Sequence, residues 1–295
     1  MKHVISMLDV KDGLPDIIDD AIDMKQNGYG KDLEDRILAM IFEKSSTRTR
    51  VSFEAGMRRL GGHAIFLGKD DIQLGRGETI EDTALVLSRY ADLIMYRAFS
   101  HADMVELARY ATVPVISGLD DEEHPCQVIT DLMTIKEQKG HLEGLYMAYY
   151  GDGHNNMANS LMLGAAMMGM KMTIVAPQQL WPSEIYLSMA REMGYVEVTE
   201  LCDDVATGAD VVVTDTWVSM GDESEKQNRL KMLEGYTVDA DVMARAADDA
   251  IFMHCLPAYY GNEVTKDVAH GQRSVIIDEA ENRMWAQMAI MKWLL

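Results

Sequence analysis

Ile37-Leu38-Ala39-Met40-Ile41-Phe42-Glu43-Lys44-Ser45-Ser46-Thr47-Arg48-Thr49-Arg50 is the stretch on which the reading of this sequence turns. Six apolar residues in a row suit a strand buried on both faces, and the hydroxyl-rich, basic segment behind them suits a turn into a helix over residues 51–60. Strand, turn and helix in that order form the repeating unit of a parallel α/β sheet. The same alternation runs on along the chain. Strands are expected at 37–42, 64–67, 93–96 and 113–116, and in a second series at 146–150, 172–175, 196–199, 211–214 and 251–253.

Between the two series, Ile129, Leu132, Met133 and Ile135 fall roughly at helical spacing before Gly140, which marks a connecting helix over 127–139. The fold class is therefore α/β: two doubly wound parallel-sheet domains joined by interdomain helices. The domains are expected at 1–136 and 137–277. A last helix over 278–295, with Ala280, Met284, Met288 and Met291 near one face, packs back on the first domain.

Lys and Arg number 27 against 48 Asp and Glu, a net charge of −21, which repels nucleic-acid backbones and anionic membrane surfaces. No nucleic-acid or membrane partner is expected. No apolar run approaches the roughly 18 residues of a membrane span, and the charged opening lacks the apolar core of a signal peptide. The three cysteines, Cys126, Cys202 and Cys255, are an odd number without C-x-x-C spacing, so reduced thiols and a cytoplasmic location follow. Most of the 24 methionines, including Met167, Met168, Met170 and Met172, read as core filler rather than a soft-metal site.

Against this acidic background, five bases face one acid, Glu54, between Lys44 and Arg59. A helix N-terminus supplies unpaired N–H groups and partial positive charge, Ser46, Thr47 and Thr49 add hydroxyl donors, and Arg48 adds a fork matched to phosphate oxygens. One such residue alone would be a helix cap or a solvated arginine. The density of them points to an anion site. The Gly-rich loop and Lys of a nucleotide-binding P-loop are missing, so a nucleoside triphosphate is not the expected anion.

Ser46-Thr47-Arg48-Thr49-Arg50 resembles the carbamoyl-phosphate motif of the aspartate and ornithine carbamoyltransferases. The resemblance continues through Asp71-Ile72-Gln73-Leu74-Gly75-Arg76-Gly77-Glu78, through Arg97 at a strand end, and through His124-Pro125-Cys126-Gln127. It implies that Ser46, Thr47, Arg48 and Thr49 grip the phosphate, that Arg97 and His124 with Thr49 donate to the carbamoyl oxygen, and that Gln127 holds the carbamoyl nitrogen. Arg283 is similar to a C-terminal arginine of the family that reaches carbamoyl phosphate, although a surface salt bridge is its ordinary role. Gln73 is implied to come from a neighbouring subunit. The expected assembly is a homotrimer or a multiple of trimers.

The acceptor is read from the second half. Asp215-Thr216-Trp217-Val218-Ser219-Met220-Gly221 follows the strand 211–214, where α/β sheets gather ligands at strand carboxyl ends. Turn chemistry alone would make Asp215 a cap and Met220 packing. The segment is similar to the ornithine-recognition loop of ornithine carbamoyltransferases, which implies that Asp215 binds the α-ammonium, Ser219 and Met220 position the chain, and Asn156 holds the amino-acid carboxylate or amine. His254-Cys255-Leu256-Pro257 also resembles those enzymes. There Cys255 and Leu256 line the reacting centre, and Cys255 joins Arg97, His124 and Asp215 as a catalytic residue.

The implied activity is transfer of the carbamoyl group of carbamoyl phosphate to the side-chain amine of L-ornithine, giving L-citrulline in arginine metabolism, with no cofactor and no metal. Four other readings stand beside it. Gly151-Asp152-Gly153 resembles the start of a dinucleotide fingerprint, but position 156 is Asn. A zinc site from His124, Cys126, His254 and Cys255 lacks the usual ligand spacing. A different amine acceptor, such as putrescine or an acylated ornithine, or a non-catalytic anion-binding role, would keep the fold. Trp285 stands where relatives commonly carry His, and Tyr259-Tyr260 replaces a His or Phe pair, departures at the edge of the site.

Overall fold

Runs of Ile, Leu, Met and Val with no polar alternation can be satisfied only where both faces of a strand are covered, and the central strands of this protein meet that condition. A computed structural model describes residues 1–74, 77–202, 204–218 and 226–295. The chain forms two units, Met1–Met133 with Glu281–Leu295, and Thr134–Ala280. The division lies within the helices α5 and α11 defined below.

In the first unit the order is α1 (Leu14–Asn27), β1 (Ile37–Phe42), α2 (Thr47–Arg59), β2 (His63–Gly68), α3 (Ile80–Leu87), β3 (Leu93–Arg97), α4 (His101–Tyr110), β4 (Val115–Leu119) and α5 (Pro125–Lys139), which runs on into the second unit. The strands make a parallel sheet in the order β2-β1-β3-β4. β1 and β3 are almost wholly buried, whereas the edge strand β2 is half-exposed. Ile41, Ile94, Tyr96, Met104, Leu107 and Val115 build one core layer.

The fourth strand departs from the expected 113–116. It starts after Pro114, which has no N–H to give the ladder, and runs through Ser117 and Gly118 to Leu119. Between Tyr96 and Arg97 the register shifts, so that Arg97 pairs with Leu119 and Gly118 is the extra residue of a bulge. A Cβ on Gly118 would lie 2.5 Å from the Met95 sulfur and 3.2 Å from the Arg97 Cβ, so the bulge has room only for glycine.

The second unit contains β5 (Tyr146–Tyr150), α6 (Asn156–Met167), β6 (Lys171–Val175), α7 (Glu184–Met193), β7 (Tyr195–Thr199), β8 (Val211–Thr214), α8 (Lys226–Met232), α9 (Ala240–Arg245), β9 (Ile251–Met253), α10 (Lys266–Ala269) and the start of α11 (Ile276–Leu294). Its parallel sheet has the order β7-β6-β5-β8-β9. The two-domain α/β reading of the sequence is borne out in both halves. No helix among the described residues is long and apolar enough to cross a membrane.

Strand order also places the crevices. In the first sheet the chain leaves β1 toward β2 and returns on the far side with β3; in the second it leaves β5 toward β6 and returns with β8. Each is a topological switch point, where loops at the strand carboxyl ends diverge and open a ligand crevice. The segments behind β1, β3, β5 and β8 are the ones that begin with Glu43, Ala98, Gly151 and Asp215.

Candidate active site

Helix α2 starts where a cap residue permits it. Ser46 is extended, and its hydroxyl accepts the Thr49 N–H at 3.2 Å, so the first turn opens at the carboxyl end of β1 with its remaining N–H groups presented there. Thr49 is only 2% exposed and its hydroxyl is a meeting point. Ser46 Oγ lies 3.1 Å away, Arg283 Nη2 donates to it at 3.0 Å, and Arg97 Nη1 comes within 3.5 Å. Two guanidinium groups, 4% and 3% exposed, thus converge on one hydroxyl above a helix N-terminus.

The bulge supplies the other hold on Arg97, whose Nη1 donates to the Gly118 carbonyl at 3.2 Å. Arg283 Nη1 donates to Gln127 Oε1, and Gln127 Nε2 donates to Asp131 Oδ1 at 2.8 Å. His124 is buried next to them. Burial, with the positive charges of Arg283 and then Arg97, holds its imidazole well below the ordinary histidine value and therefore neutral. Burial likewise pushes the Cys126 thiol up to about 12, and its Sγ donates to the Ser117 carbonyl at 3.3 Å, so it is a packed thiol rather than a nucleophile.

The rest of the basic segment divides. Arg50 pairs with Glu54 at 2.9 Å and lies 3.7 Å over the Phe66 ring, which makes it an outward-facing residue. Lys44 is half-buried, and desolvation and the charge of Arg97 lower its ammonium pKa. Thr47 is exposed at the first turn of α2 and Arg48 half-buried behind it. Gln73 is exposed, immediately before Leu74, which bridges to Glu78.

The second unit gathers a different set. Asp215 follows β8, is 7% exposed, and has its carboxyl pKa raised by burial, with a hydrogen bond from Cys255 pulling it back. Cys255 Sγ donates to Asp215 Oδ1 at 3.1 Å. Asn155 caps α6 by accepting the Ala158 N–H at 2.8 Å, which puts the half-buried Asn156 at the first position of that helix. Gly153 lets this turn approach the chain closely, since a Cβ there would sit 2.8 Å from the Leu180 carbonyl oxygen. Ser219 and Met220 lie outside the described residues.

Several members of the set were not legible in the sequence. Asp152, 1% exposed, is ion-paired with Arg229 of α8, and its Oδ1 accepts the His154 N–H at 2.8 Å. His254 entered the sequence reading within the His254-Cys255-Leu256-Pro257 segment and as a conceivable zinc ligand, with no role of its own in the site. Among the described residues, Asp215, His254 and Cys255 do bring ligand-type atoms within 4.8 Å of one another. Both His254 ring nitrogens, however, already have hydrogen-bond partners, Leu256 N at 2.8 Å and Glu263 Oε1 at 3.3 Å. The other two residues of the zinc reading, His124 and Cys126, belong to the first unit. Trp285 stacks with Tyr29 and Arg59 and donates to Glu281, a packing role, and Tyr259 and Tyr260 are exposed.

Residues 2–137 match the profile of the aspartate/ornithine carbamoyltransferase carbamoyl-phosphate-binding domain, and residues 143–294 that of the family's Asp/Orn-binding domain. The chain therefore belongs to the aspartate/ornithine carbamoyltransferase family. Within it, the chain groups with the ornithine carbamoyltransferases. It is 49% identical to the ornithine carbamoyltransferase of Picrophilus torridus, over 100% of this chain and 99% of that one. It is 46% identical to the catabolic ornithine carbamoyltransferase of Thermoplasma volcanium, over 100% and 98%. Among solved structures, the ornithine carbamoyltransferase of Pyrococcus furiosus superposes with a TM-score of 0.93 at 44% identity, covering 98% of this chain and 96% of that one. The anabolic enzyme of Campylobacter jejuni superposes with 0.94 at 39% identity, covering 100% and 99%.

Proposed function

We propose that the chain transfers the carbamoyl group of carbamoyl phosphate to the side-chain amine of L-ornithine, yielding L-citrulline and phosphate, with the residues that carry each step assigned as follows. The α2 N-terminus, with Ser46, Thr47, Arg48 and Thr49, binds the phosphate. Arg97 and neutral His124 donate to the carbamoyl oxygen as it gains negative charge, a preorganised stabilisation of the kind that dominates acyl-type transfer. Gln127 holds the carbamoyl nitrogen, and Arg283 braces both Gln127 and Thr49.

On the acceptor side Asp215 binds the cationic α-ammonium, Asn156 the amino-acid end, and Cys255 with Leu256 the reacting amine. Ser219 and Met220 belong to the same loop in this reading. The neutral amine nitrogen forms a bond to the carbonyl carbon, the carbon–oxygen bond to phosphate breaks, and the amine proton leaves with phosphate or solvent. The observation that carries the acceptor assignment is the buried Asp215 carboxylate bonded to the Cys255 thiol, since a desolvated carboxylate favours a cationic amino acid over an anionic one.

A homotrimer, or a multiple of trimers, completes the proposal. Gln73, exposed to solvent, is the residue that would serve a neighbouring subunit. Cys126, Cys202 and Cys255 form no disulfide, which supports a reducing, cytoplasmic setting. The deciding assay is citrulline formation from carbamoyl phosphate with ornithine, beside putrescine, aspartate and N-acetylornithine as competing acceptors. Preference for ornithine is expected. Preference for another amine sinks the acceptor half alone, and product from none of them sinks the enzyme reading.

A further inference from the structure

The segment that leaves β9 has no regular secondary structure, yet three of its N–H groups are held by buried side chains. His254 N donates to Glu279 Oε2 at 3.0 Å, Leu256 N to His254 Nδ1 at 2.8 Å, and Tyr259 N to Glu263 Oε1. His254 and Glu263 are essentially inaccessible to solvent. Because a backbone N–H can only donate, His254 Nδ1 must be the acceptor. Its proton is then on Nε2, which faces Glu263 Oε1 at 3.3 Å.

Leu256 adopts a φ of +58°, a left-handed conformation that a leucine does not favour. Something must hold it there, and the Leu256 N–H bond to His254 is in place to do so. Cys255 lies between the two bonded residues, with its thiol on Asp215. We propose that His254 is a positioning residue of the acceptor half-site. Fixed by Glu263 in its Nε2–H form, it accepts the Leu256 N–H and locks the Cys255-Leu256 turn against Asp215. The inference rests on the reading that Cys255 and Asp215 hold the acceptor.

Asparagine and glutamine separate the two ends of the imidazole. His254→Asn keeps a potential acceptor near the Nδ1 position, whereas His254→Gln keeps a polar group near Nε2 and loses the bond to Leu256. Citrulline formation is measured for both variants and for Cys255→Ala, varying ornithine at saturating carbamoyl phosphate and then the reverse, with thermal melting recorded alongside. The expected result is an ornithine KM raised about tenfold in His254→Gln, with His254→Asn within about threefold of the parent and the carbamoyl-phosphate KM moving less than about twofold.

Equal behaviour of the Asn and Gln variants overturns the inference, and so does a parallel rise in both KM values. Failure of both variants to fold also overturns it, because His254 then serves the fold of its unit rather than the site. The Cys255→Ala result separates the two layers. An unchanged ornithine KM there removes Cys255 from the acceptor site, whereas a raised one beside an unaffected His254→Gln leaves the acceptor site standing and removes the lock.

Discussion

The crevices at the two switch points handle charge in opposite ways. At the carboxyl ends of β1 and β3, two guanidinium groups, a helix N-terminus and a neutral imidazole gather positive charge and hydrogen-bond donors of the kind an anion needs. At the ends of β5, β8 and β9, a buried carboxylate, a thiol and a backbone turn gather the acceptor chemistry that the proposal assigns to a cationic amine. The first is set by long-range convergence on a single hydroxyl, that of Thr49. The second depends on a local turn in a left-handed conformation, which side chains must hold in place. One fold plan thus supplies two opposite electrostatic sites, and the difference lies in the loops rather than in the sheets.

The comparison is broken most severely at Arg97. Arg97→Ala is expected to lower kcat by about 10²- to 10³-fold, as loss of a donor to a developing oxyanion does. The ornithine KM should stay near the parental value; a large rise there would show that the first site is not independent of the second. Asp215→Asn tests the opposite case. It should raise the ornithine KM about tenfold to a hundredfold, the range for a lost charge-assisted bond, while leaving the carbamoyl-phosphate KM alone.

The same substitution gives a prediction with a sign. Burial raises the Asp215 carboxyl above the ordinary value of 3.8, so between that value and the raised one the folded chain holds a proton the unfolded chain has released. Stability therefore falls as pH rises through that window. Asp215→Asn removes the effect, and its melting temperature should exceed the parent's at pH 8, with the gap closing in acid. A lower melting temperature at pH 8 would mean that the Cys255 bond outweighs desolvation.

Gly118→Ala sharpens the comparison from the backbone side. The added methyl meets Met95 and Arg97, so a loss of about 1–3 kcal/mol of stability is expected together with a lowered kcat. Denaturant melts and steady-state rates check both. The smallest effect belongs to His124. Its folded pKa is depressed, so its contribution to stability is present above the ordinary histidine value of 6.5 and is lost as pH falls toward the folded pKa. His124→Gln should flatten the pH dependence of melting below that value, and an unchanged slope would assign the acid sensitivity elsewhere.

Much of this was legible in the sequence for physical reasons that act over a few residues. Continuous apolar runs announced strands covered on both faces, and Ser46 before Thr47 and Arg48 announced a capped helix start with anion-binding character. The end of the fourth strand was not legible. Ser117 and Gly118 look like loop residues, and only pairing with β3 makes them a bulge whose carbonyl holds Arg97. Arg229 likewise looks like a surface base on a short helix until its ion pair with the buried Asp152 is seen.

The sequence by itself determined the α/β class, the two series of strands, the hydroxyl-rich, basic chemistry of the turn behind β1 and the residues to which the proposal assigns roles. Tertiary structure decided which of them meet. Arg97 and Arg283 reach Thr49 from 48 and 234 positions away, and the proton of His254 is placed by the fold of the loop, which brings Glu263 to Nε2 and the Leu256 N–H to Nδ1. Capping and periodic burial are local properties, written in adjacent residues. The meeting of distant polar groups depends on sheet register and on burial, which make each hydrogen bond obligatory only once the chain has folded around it.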